Sequence, residues 1–362
     1  MQANVITLHS VANYGTQLQA LATQEKLKEY FDDVKFIDYR RRDTYGIGLL
    51  KTFSKGNIFR GLASLPTLLI WHFKFNRFRK KYLNLTQKKY LKDSDFDNFK
   101  SNADYYVVGS DQVWNTGWNG GVIPALYLNF VTKGKPKISF SSSFGMNKLE
   151  EENLNEVKKY LEEFKCISVR EPSGVNIIKN QLKINNINVE QLVDPVLSMP
   201  ADFWRNISPK NKISEKYILI YSLNRNDSLD KYAKELSKKT GLKLIRFCTR
   251  LDQIIRTGHS KLIPEITEFV SLIDNAEYVI TDSFHATAFS MLMNTEPICI
   301  YPKMFSNRIS EFLDLVDESD RHLKKYTDLD IIDKKVDFKK VNNILENERL
   351  RVDEYLKNAI SN

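Results

Sequence analysis

The residues best placed for chemistry lie in the segment TDSFH, residues 281–285, where an apolar run gives way to a helical pattern. Asp282 or Ser283 can cap the helix that follows, and the backbone amides of its first turn can hold an anion. His285 falls in that turn, where an imidazole can transfer a proton. A lone histidine is more often structural, but its position at a strand-to-helix junction favours a functional role. The segment therefore predicts an anion site with an acid or base beside it.

A second polar cluster, GSDQVWN at residues 109–115, follows the apolar run that ends at Val108. It combines hydroxyl, carboxylate, amide and indole groups, as carbohydrate sites do. The alternative is a turn with one buried tryptophan. We interpret the cluster as a sugar-binding loop in which Asp111 orients or deprotonates a hydroxyl and Trp114 offers an aromatic platform.

Three further polar segments follow apolar runs. The loop at residues 9–17 contains Gly15, which permits close approach of a ligand, although the loop fits neither glycine-rich nucleotide motif. Small hydroxyls at residues 141–143 can contact a ligand or cap a helix. Arg170 stands at a strand end, where its guanidinium can bind a carboxylate or phosphate through two parallel bonds, or can pair with a neighbouring acidic residue.

The elements that must position these residues alternate between short apolar runs and longer segments with helical periodicity. This alternation is typical of βαβ units and predicts an α/β fold with two Rossmann-like lobes, mostly parallel sheets and an active site in the cleft between the lobes. The predicted strands are residues 3–8, 34–39, 105–109, 137–142, 166–169, 189–193, 217–222, 242–247, 278–281 and 297–301. The predicted helices are residues 17–30, 149–164, 229–239, 266–275, 284–293 and 336–360.

A segment with three prolines at residues 194–209 marks the boundary between the predicted lobes. We assign residues 1–200 to an amino-terminal lobe with a basic amphipathic insertion at about 55–85, and residues 201–330 to a carboxy-terminal lobe. Residues 331–362 are predicted to form a charged amphipathic helix that packs back across the lobes.

The net charge of +9 suggests a partner with negative charge, and much of the excess surrounds the apolar run at residues 62–71. That run is about half the length of a spanning helix, and Pro66 interrupts it. Two interpretations stay open for residues 58–81: a basic amphipathic patch on an anionic membrane surface, or a packed helical insertion with a solvated basic flank. The basic excess is not interleaved with stacking aromatics, so we expect no nucleic-acid partner.

Cysteine and histidine spacing points away from metal and redox chemistry. The three cysteines are widely separated in apolar runs, and the five histidines show no ligand spacing, so we predict neither disulfides nor a metal site. The amino terminus has no secretory signal pattern, so we expect the protein in the cytoplasm, with the inner face of the cell membrane as an additional location if the basic patch binds lipid.

Taken in order, NYGTQLQ, VVGSDQVWN, ISFSSSFG, ISVREPSG, VDPVL and VITDSFHATAFSM resemble the motif series of the polysaccharide pyruvyl transferase family. The resemblance implies a glycosyltransferase-B-like fold and transfer of a pyruvyl ketal from phosphoenolpyruvate to a hexose, in capsule or other cell-surface polysaccharide synthesis. One departure is that Thr16 and Gln17 stand where many members have an acidic pair.

The resemblance and the residue chemistry together assign roles. His285 is the candidate acid, and Arg170 and Asp111 are the other candidate catalytic residues. The predicted donor site, which binds phosphoenolpyruvate as co-substrate, comprises Arg170, Ser283, Phe284, His285, Lys303 and Arg308. The predicted acceptor site comprises Asn13, Tyr14, Gly15, Ser110, Asp111, Gln112, Trp114, Asn115, Ser142 and Ser143. The scheme needs no cofactor, and the hexose acceptor could be free, nucleotide-linked or linked to polyprenyl diphosphate.

Two other functions remain open at the level of sequence. A nucleotide-sugar glycosyltransferase of the same architecture would also need an anion site and an acceptor loop. A non-catalytic sugar-binding component of a membrane assembly would use the basic segment as its anchor, although the presence of Arg170 and His285 argues against it.

Overall fold

A computed structural model describes residues 1–302 and 306–361. The chain divides into two compact units. The first unit comprises Met1–Ser198 and Glu348–Asn362, and the second unit comprises Met199–Asn347. Across the described residues, no helix combines the length and the apolar character that a membrane crossing requires.

The first unit is built on a seven-stranded sheet in the order β3-β2-β1-β4-β5-β6-β7, with every pair parallel. Its core is formed by strand residues with no exposed surface, such as Val5, Val107 and Ile138. The strands are β1 Gln2–Ile6, β2 Asp33–Tyr39, β3 Leu85–Tyr90, β4 Tyr105–Val108, β5 Lys137–Ser139, β6 Cys166–Val169 and β7 Asn188–Gln191. The helices are α1 Tyr14–Leu27, α2 Gly46–Ser54, α3 Ile58–Tyr82, α4 Thr116–Asn119, α5 Glu151–Leu161, α6 Pro172–Asn176 and α7 Pro195–Ser198.

The second unit repeats the scheme with a five-stranded parallel sheet in the order β10-β9-β8-β11-β12. Its strands are β8 Tyr217–Tyr221, β9 Lys243–Cys248, β10 His259–Leu262, β11 Tyr278–Thr281 and β12 Glu296–Cys299. Its helices are α8 Ala201–Ile207, α9 Asp227–Thr240, α10 Glu268–Asp274, α11 Phe284–Leu292, α12 Asn307–Leu315 and the start of α13 Phe338–Ile360. The predicted α/β class with two Rossmann-like parallel sheets is therefore confirmed.

The differences from the predicted elements have local causes. Strands β3 and β10 were not predicted because both lie at sheet edges and are mostly polar, with the sequences LTQKKY and HSKL. Helix α1 begins three residues before the predicted start, because the Asn13 side chain accepts a hydrogen bond from the Thr16 amide and caps the helix. Gly15 therefore lies in the first turn of α1 and not in a loop.

The basic insertion forms two helices, α2 and α3. Helix α3 runs through Pro66 and buries Trp71, Phe75 and Phe78, whereas other large apolar side chains of the same helix are exposed. Both faces of α3 are thus partly apolar, and its exposed side chains include the cations Arg77, Lys80 and Lys81. Both interpretations of this segment therefore stay open.

Candidate active site

Most of the predicted site residues lie where the strand order of each sheet reverses. In the first sheet this switch point separates β1 from β4, and in the second it separates β8 from β11. Ligands of open parallel sheets bind beyond the carboxyl ends of the strands at such points. The loops after β1 and β4, and those after β8 and β11, are therefore the candidate site segments of the two units.

Asp111 joins the two loops at the first switch point. Its Oδ2 accepts a hydrogen bond from the Thr16 hydroxyl at 2.5 Å, and its Oδ1 accepts one from the Gln112 amide at 2.9 Å. The residue has a φ of +72°, a left-handed conformation that is uncommon outside glycine. Such strain is characteristic of functional sites, and it fixes the carboxylate between α1 and the loop after β4.

Arg170, at the end of β6, is held by carboxylates of its own unit. Its Nε donates to Glu171 at 2.7 Å and its Nη1 donates to Asp194 at 2.8 Å, all three side chains being buried. Burial opposes the charge, but Glu171, Asp194 and Asp111 outweigh it and raise the pKa of the guanidinium above its usual value. The Ser110 hydroxyl donates to the same Asp194 at 3.0 Å. The structure therefore agrees with the interpretation in which Arg170 pairs with neighbouring acidic residues. A contact between Arg170 and phosphoenolpyruvate stays a prediction.

The predicted serine hydroxyls organise the loops of the first switch point. Ser142 is fully buried and donates to the Gly109 carbonyl at 2.9 Å, and the Ser143 hydroxyl accepts from the Gly145 amide at 3.0 Å. Gly145 has a φ of +63°, and a Cβ there would stand 2.3 Å from Gln112 Oε1. A larger residue would have to displace the ends of the Gln112 and Asn115 side chains, and the positive φ also favours glycine, so Gly145 lets the serine segment lie close to Gln112.

The prediction that Trp114 offers a sugar platform is wrong. The indole is 1% exposed, stacks on Tyr127 at 5.6 Å and donates its N–H to the Leu126 carbonyl at 3.0 Å. Because a buried indole needs a partner for its N–H and finds one in the core, the ring has a packing role. Tyr14 is likewise a core residue, packed edge-on against Phe75, and does not match its predicted contact with an acceptor.

The remaining acceptor residues differ in exposure. Asn13 and Gln112 are half-buried, and Asp111 retains a little exposed surface. Asn115 is buried, caps α4 by accepting from the Trp118 amide at 2.8 Å, and donates to Gln112 Oε1 at 2.6 Å. The side chains that can meet an acceptor directly are therefore those of Asn13, Asp111 and Gln112.

The second switch point is dominated by the amino end of α11. The Ser283 side chain caps this helix by accepting from the Ala286 amide, and His285 lies in the first turn with 6% of its surface exposed. The ring of Phe284 meets the imidazole edge-on at 5.2 Å. A helix amino end attracts anions, so this segment has the predicted combination of an anion site and an imidazole.

Asp282 does not face a ligand but ties the loop after β8 to β11. It accepts hydrogen bonds from the Leu223 amide at 2.7 Å, the Asn224 amide at 3.0 Å and the Ser222 hydroxyl at 3.2 Å. These bonds fix the loop after β8 against the residue that precedes the cap of α11.

The predicted donor cations are placed as follows. Arg308 is half-buried in the first turn of α12, in the second unit, whereas Arg170 belongs to the first unit. Lys303 lies outside the described residues. In the ranges 1–302 and 306–361, no group of three or more His, Cys, Asp or Glu side chains could hold a metal ion.

Sequence reasoning missed Thr16 and Asp194 as members of the site. Thr16 was noted only as a departure from an acidic pair. A hydroxyl in the first turn of the helix after β1 can nevertheless reach the loop after β4, because β4 is the neighbour of β1 in the sheet. Asp194 follows the apolar run after β7 directly, which is the signal that identified Asp111.

The comparisons with known proteins identify the family through a sequence model and the fold through solved structures. The family model described as polysaccharide pyruvyl transferase matches residues 13–303. UDP-GlcNAc 2-epimerase from Methanocaldococcus jannaschii, solved with UDP-GlcNAc and UDP, is 13% identical, with a TM-score of 0.53 over 96% of this chain and 94% of that one. Staphylococcus aureus MnaA, solved with UDP, is 9% identical, with a TM-score of 0.51 over 98% and 95% of the two chains. No curated protein sequence matches the chain significantly. At these identities the structural likeness concerns the fold alone, and it confirms the predicted glycosyltransferase-B-like class.

Proposed function

Because the chain belongs to the polysaccharide pyruvyl transferase family, we propose that it moves a pyruvyl group from phosphoenolpyruvate to two hydroxyls of a hexose in a cell-surface polysaccharide precursor. Membership makes the chain a transferase of polysaccharide pyruvylation. The donor, the hexose acceptor, the ketal product and a cytoplasmic site of action are the finer parts of the proposal.

The observation that carries the proposal is the position of His285 in the first turn of α11, at the switch point of the second sheet. Phosphoenolpyruvate presents a carboxylate and a phosphate, and a helix amino end suits either group. An acid beside an enol phosphate can protonate its methylene carbon.

The reaction then balances without a metal or a cofactor. Protonation of the methylene carbon makes a methyl group and an oxocarbenium-like centre at the adjacent carbon. One sugar hydroxyl attacks that centre, inorganic phosphate leaves with its bonding electrons, and a second hydroxyl closes the ring. Of the two hydroxyl protons, one replaces the proton consumed at the methylene carbon and the other protonates the leaving phosphate, so the products are the pyruvyl ketal and hydrogen phosphate.

Asp111 is the proposed acceptor of the hydroxyl proton. Each of its oxygens accepts one hydrogen bond within the protein, from Thr16 and from the Gln112 amide. A carboxylate has about four acceptor positions, so capacity remains for a sugar hydroxyl. Half-buried Asn13 and Gln112 flank it as hydrogen-bonding groups for the sugar.

The first test is thermal melting with phosphoenolpyruvate and, at matched concentration, with UDP-GlcNAc and UDP-glucose. A ligand that binds the native state selectively raises the midpoint. The proposal expects a shift with phosphoenolpyruvate alone, followed by acceptor-dependent release of phosphate. A shift with the UDP-sugars alone would indicate a nucleotide-sugar glycosyltransferase instead. No shift with any of these ligands would contradict the proposal that phosphoenolpyruvate is the donor.

A further inference from the structure

Helices α2 and α3 of the first unit enclose an apolar cavity that the proposed reaction does not use. The cavity has a volume of about 290 Å³ and is lined by Leu50, Leu65, Leu68, Trp71 and Phe75 among others. Ser10 and Ala12, from the loop after β1, form part of its wall. An apolar cavity with a few polar groups at one end is the usual form of a small-ligand site.

A larger, cationic cavity of about 830 Å³ adjoins it. Tyr45, His72 and Arg79 line both cavities, so the two meet at these side chains. The second cavity is lined by one carboxylate, Asp38, and by six cationic side chains: Arg40, Arg77, Arg79, Lys80, Lys81 and Lys89. A concave surface with such an excess of one sign attracts an anion.

Arg79 stands at the junction with a charge that the described residues do not neutralise. It is 3% exposed and donates only to neutral oxygens, those of His9, Ser10 and Asn76. Its Nε has no hydrogen-bond partner among the described residues. Burial, and then the positive charge of Arg40, lowers the pKa of Arg79 to about 10.

The neighbouring Arg40 differs from Arg79 because it is paired with a carboxylate. Its guanidinium is bound by both oxygens of Asp38, at 2.7 and 2.8 Å. That carboxylate is therefore already committed to another arginine. A buried guanidinium without a carboxylate of its own is the natural partner of an incoming anion.

Large apolar side chains lie exposed around the openings of these cavities. Ile47 and Leu69 line the apolar cavity and are 76% and 58% exposed, and Phe73, which lines the cationic cavity, is 72% exposed. Ile58 and Phe59, at the start of α3, are also exposed. Single exposed apolar residues are ordinary, but a group of them bordered by cations is typical of a helix that lies in a membrane interface.

We propose that the two cavities form a binding site for one phosphate-bearing lipid of a bilayer. The phosphate occupies the cationic cavity against Arg79, and the first part of the hydrocarbon chain occupies the apolar cavity. The rest of the hydrocarbon chain extends out of this cavity beside Ile47 and Leu69. Because Ser10 and Ala12 belong to the loop that also carries Asn13, the lipid lies beside the proposed acceptor residues. That this lipid carries the acceptor sugar rests on the proposed function, whereas lipid binding itself does not.

Calorimetric titration with dihexanoyl phosphatidic acid, a soluble lipid phosphate, tests the site. Inorganic phosphate and dihexanoyl phosphatidylcholine are the matched ligands that lack the chain and the net charge of the head, respectively. We expect the lipid phosphate to bind at least about ten-fold more tightly than either, because both cavities contribute. Equal binding of inorganic phosphate would make this a free-anion site, and equal binding of the phosphatidylcholine would make it an apolar pocket; either result, or no binding, overturns the proposal.

Variants assign the binding to these residues. We expect Arg79→Gln and Leu69→Ser each to lower the affinity for dihexanoyl phosphatidic acid by about ten-fold. Since a buried arginine variant can fail to fold, the exposed pair Lys80→Gln and Lys81→Gln provides a second removal of charge. Lys234→Gln on α9 and Leu350→Ser on α13 change exposed side chains of the same types elsewhere and should leave affinity unchanged. Site variants that melt normally yet bind as tightly as the parent protein would refute the assignment.

Cosedimentation with vesicles distinguishes a built site from general adsorption. Phosphatidylcholine vesicles containing phosphatidic acid should retain the protein better than vesicles of matched charge containing phosphatidylglycerol. Equal retention would show adsorption by charge alone and contradict the proposal. None of these measurements uses turnover, so a protein that binds lipid without releasing phosphate from phosphoenolpyruvate would keep this site and lose the proposed function.

Discussion

The two switch points share a topology but differ in charge. Near the first, the carboxylates of Asp111, Glu171 and Asp194 lie around Arg170. At the second, the amino end of α11 carries the positive end of a helix dipole, and the adjacent carboxylate of Asp282 is bound by the loop after β8.

This contrast shows how one sheet arrangement supports two kinds of binding. In both sheets the first five strands run in the order 3-2-1-4-5, counted within each unit, and the switch point lies between strands 1 and 4. The residues after the strands decide whether the edge accepts protons or attracts anions. Under the proposed function, the acidic edge would bind the sugar hydroxyl and the anion-attracting edge would bind phosphoenolpyruvate.

The largest effect is expected at the second switch point, from His285→Ala. Loss of a general acid typically lowers kcat by about 10² to 10⁴-fold. Phosphate release from phosphoenolpyruvate with an acceptor measures the rate. The matched control is His259→Ala, an exposed histidine on β10 of the same unit. Retained activity in His285→Ala, at a normal melting temperature, would remove His285 as the acid.

A smaller loss, about 10²-fold in kcat, is expected at the first switch point from Asp111→Asn. Asparagine tolerates the φ of +72° and keeps an oxygen for Thr16, but it cannot take a proton from a sugar hydroxyl. The midpoint shift with phosphoenolpyruvate should stay as in the parent protein. If that shift disappears while kcat is unchanged, the acidic edge serves the donor and the assignment of the two edges is reversed.

Asp282→Ala probes the structural carboxylate of the second switch point. It leaves the Leu223 and Asn224 amides without their acceptor, so we expect a loss of about 1–3 kcal/mol in the free energy of unfolding. Urea unfolding measures this loss, with Asp202→Ala on α8, an exposed carboxylate of the same unit, as the control. Equal stability of the two variants would mean that Asp282 does not hold the loop.

The smallest effect should come from Thr16→Val, which removes the hydroxyl that positions Asp111. The lost hydrogen bond positions Asp111 without touching the reacting atoms, so we expect only the effect of an ordinary hydrogen bond, about 0.5–1.5 kcal/mol or two- to ten-fold in kcat, with little change in KM for the donor. Thr16→Ser keeps the hydroxyl and should restore the rate. A change in KM alone, or no rescue by serine, would assign Thr16 to packing.

The sequence was sufficient to locate both edges of the site. Polar residues that follow an apolar strand directly, such as Asp111 and Ser283, are found beyond the strand ends as predicted, because chain order along a parallel sheet brings such positions to one edge. The alternation of strands and helices likewise gave the α/β class.

What could not be predicted depended on side-chain direction and on distant partners. Trp114 is both apolar and a hydrogen-bond donor, and nothing local indicates that its loop turns it towards Tyr127. The pairing of Arg170 with Asp194 depends on β6 and β7 being neighbours in the sheet, a fact of strand order and not of spacing. The edge strands β3 and β10 lacked an apolar signal because solvent covers part of each.

Helix α13 begins in the second unit and ends in the first. Within the first unit, the buried Tyr355 hydroxyl donates to the Ser139 carbonyl at 2.7 Å, and the Tyr105 hydroxyl donates to the Ile360 carbonyl at 2.7 Å. The ribosome makes all of Met199–Asn347 before the segment that supplies these contacts. Because domains generally fold as units, the second unit can reach its native state first. The first unit is incomplete until its last helical segment, Glu348–Asn362, has been made. A chain truncated after residue 347 and released from the ribosome should therefore hold a protease-resistant second unit and a first unit that is still open to cleavage.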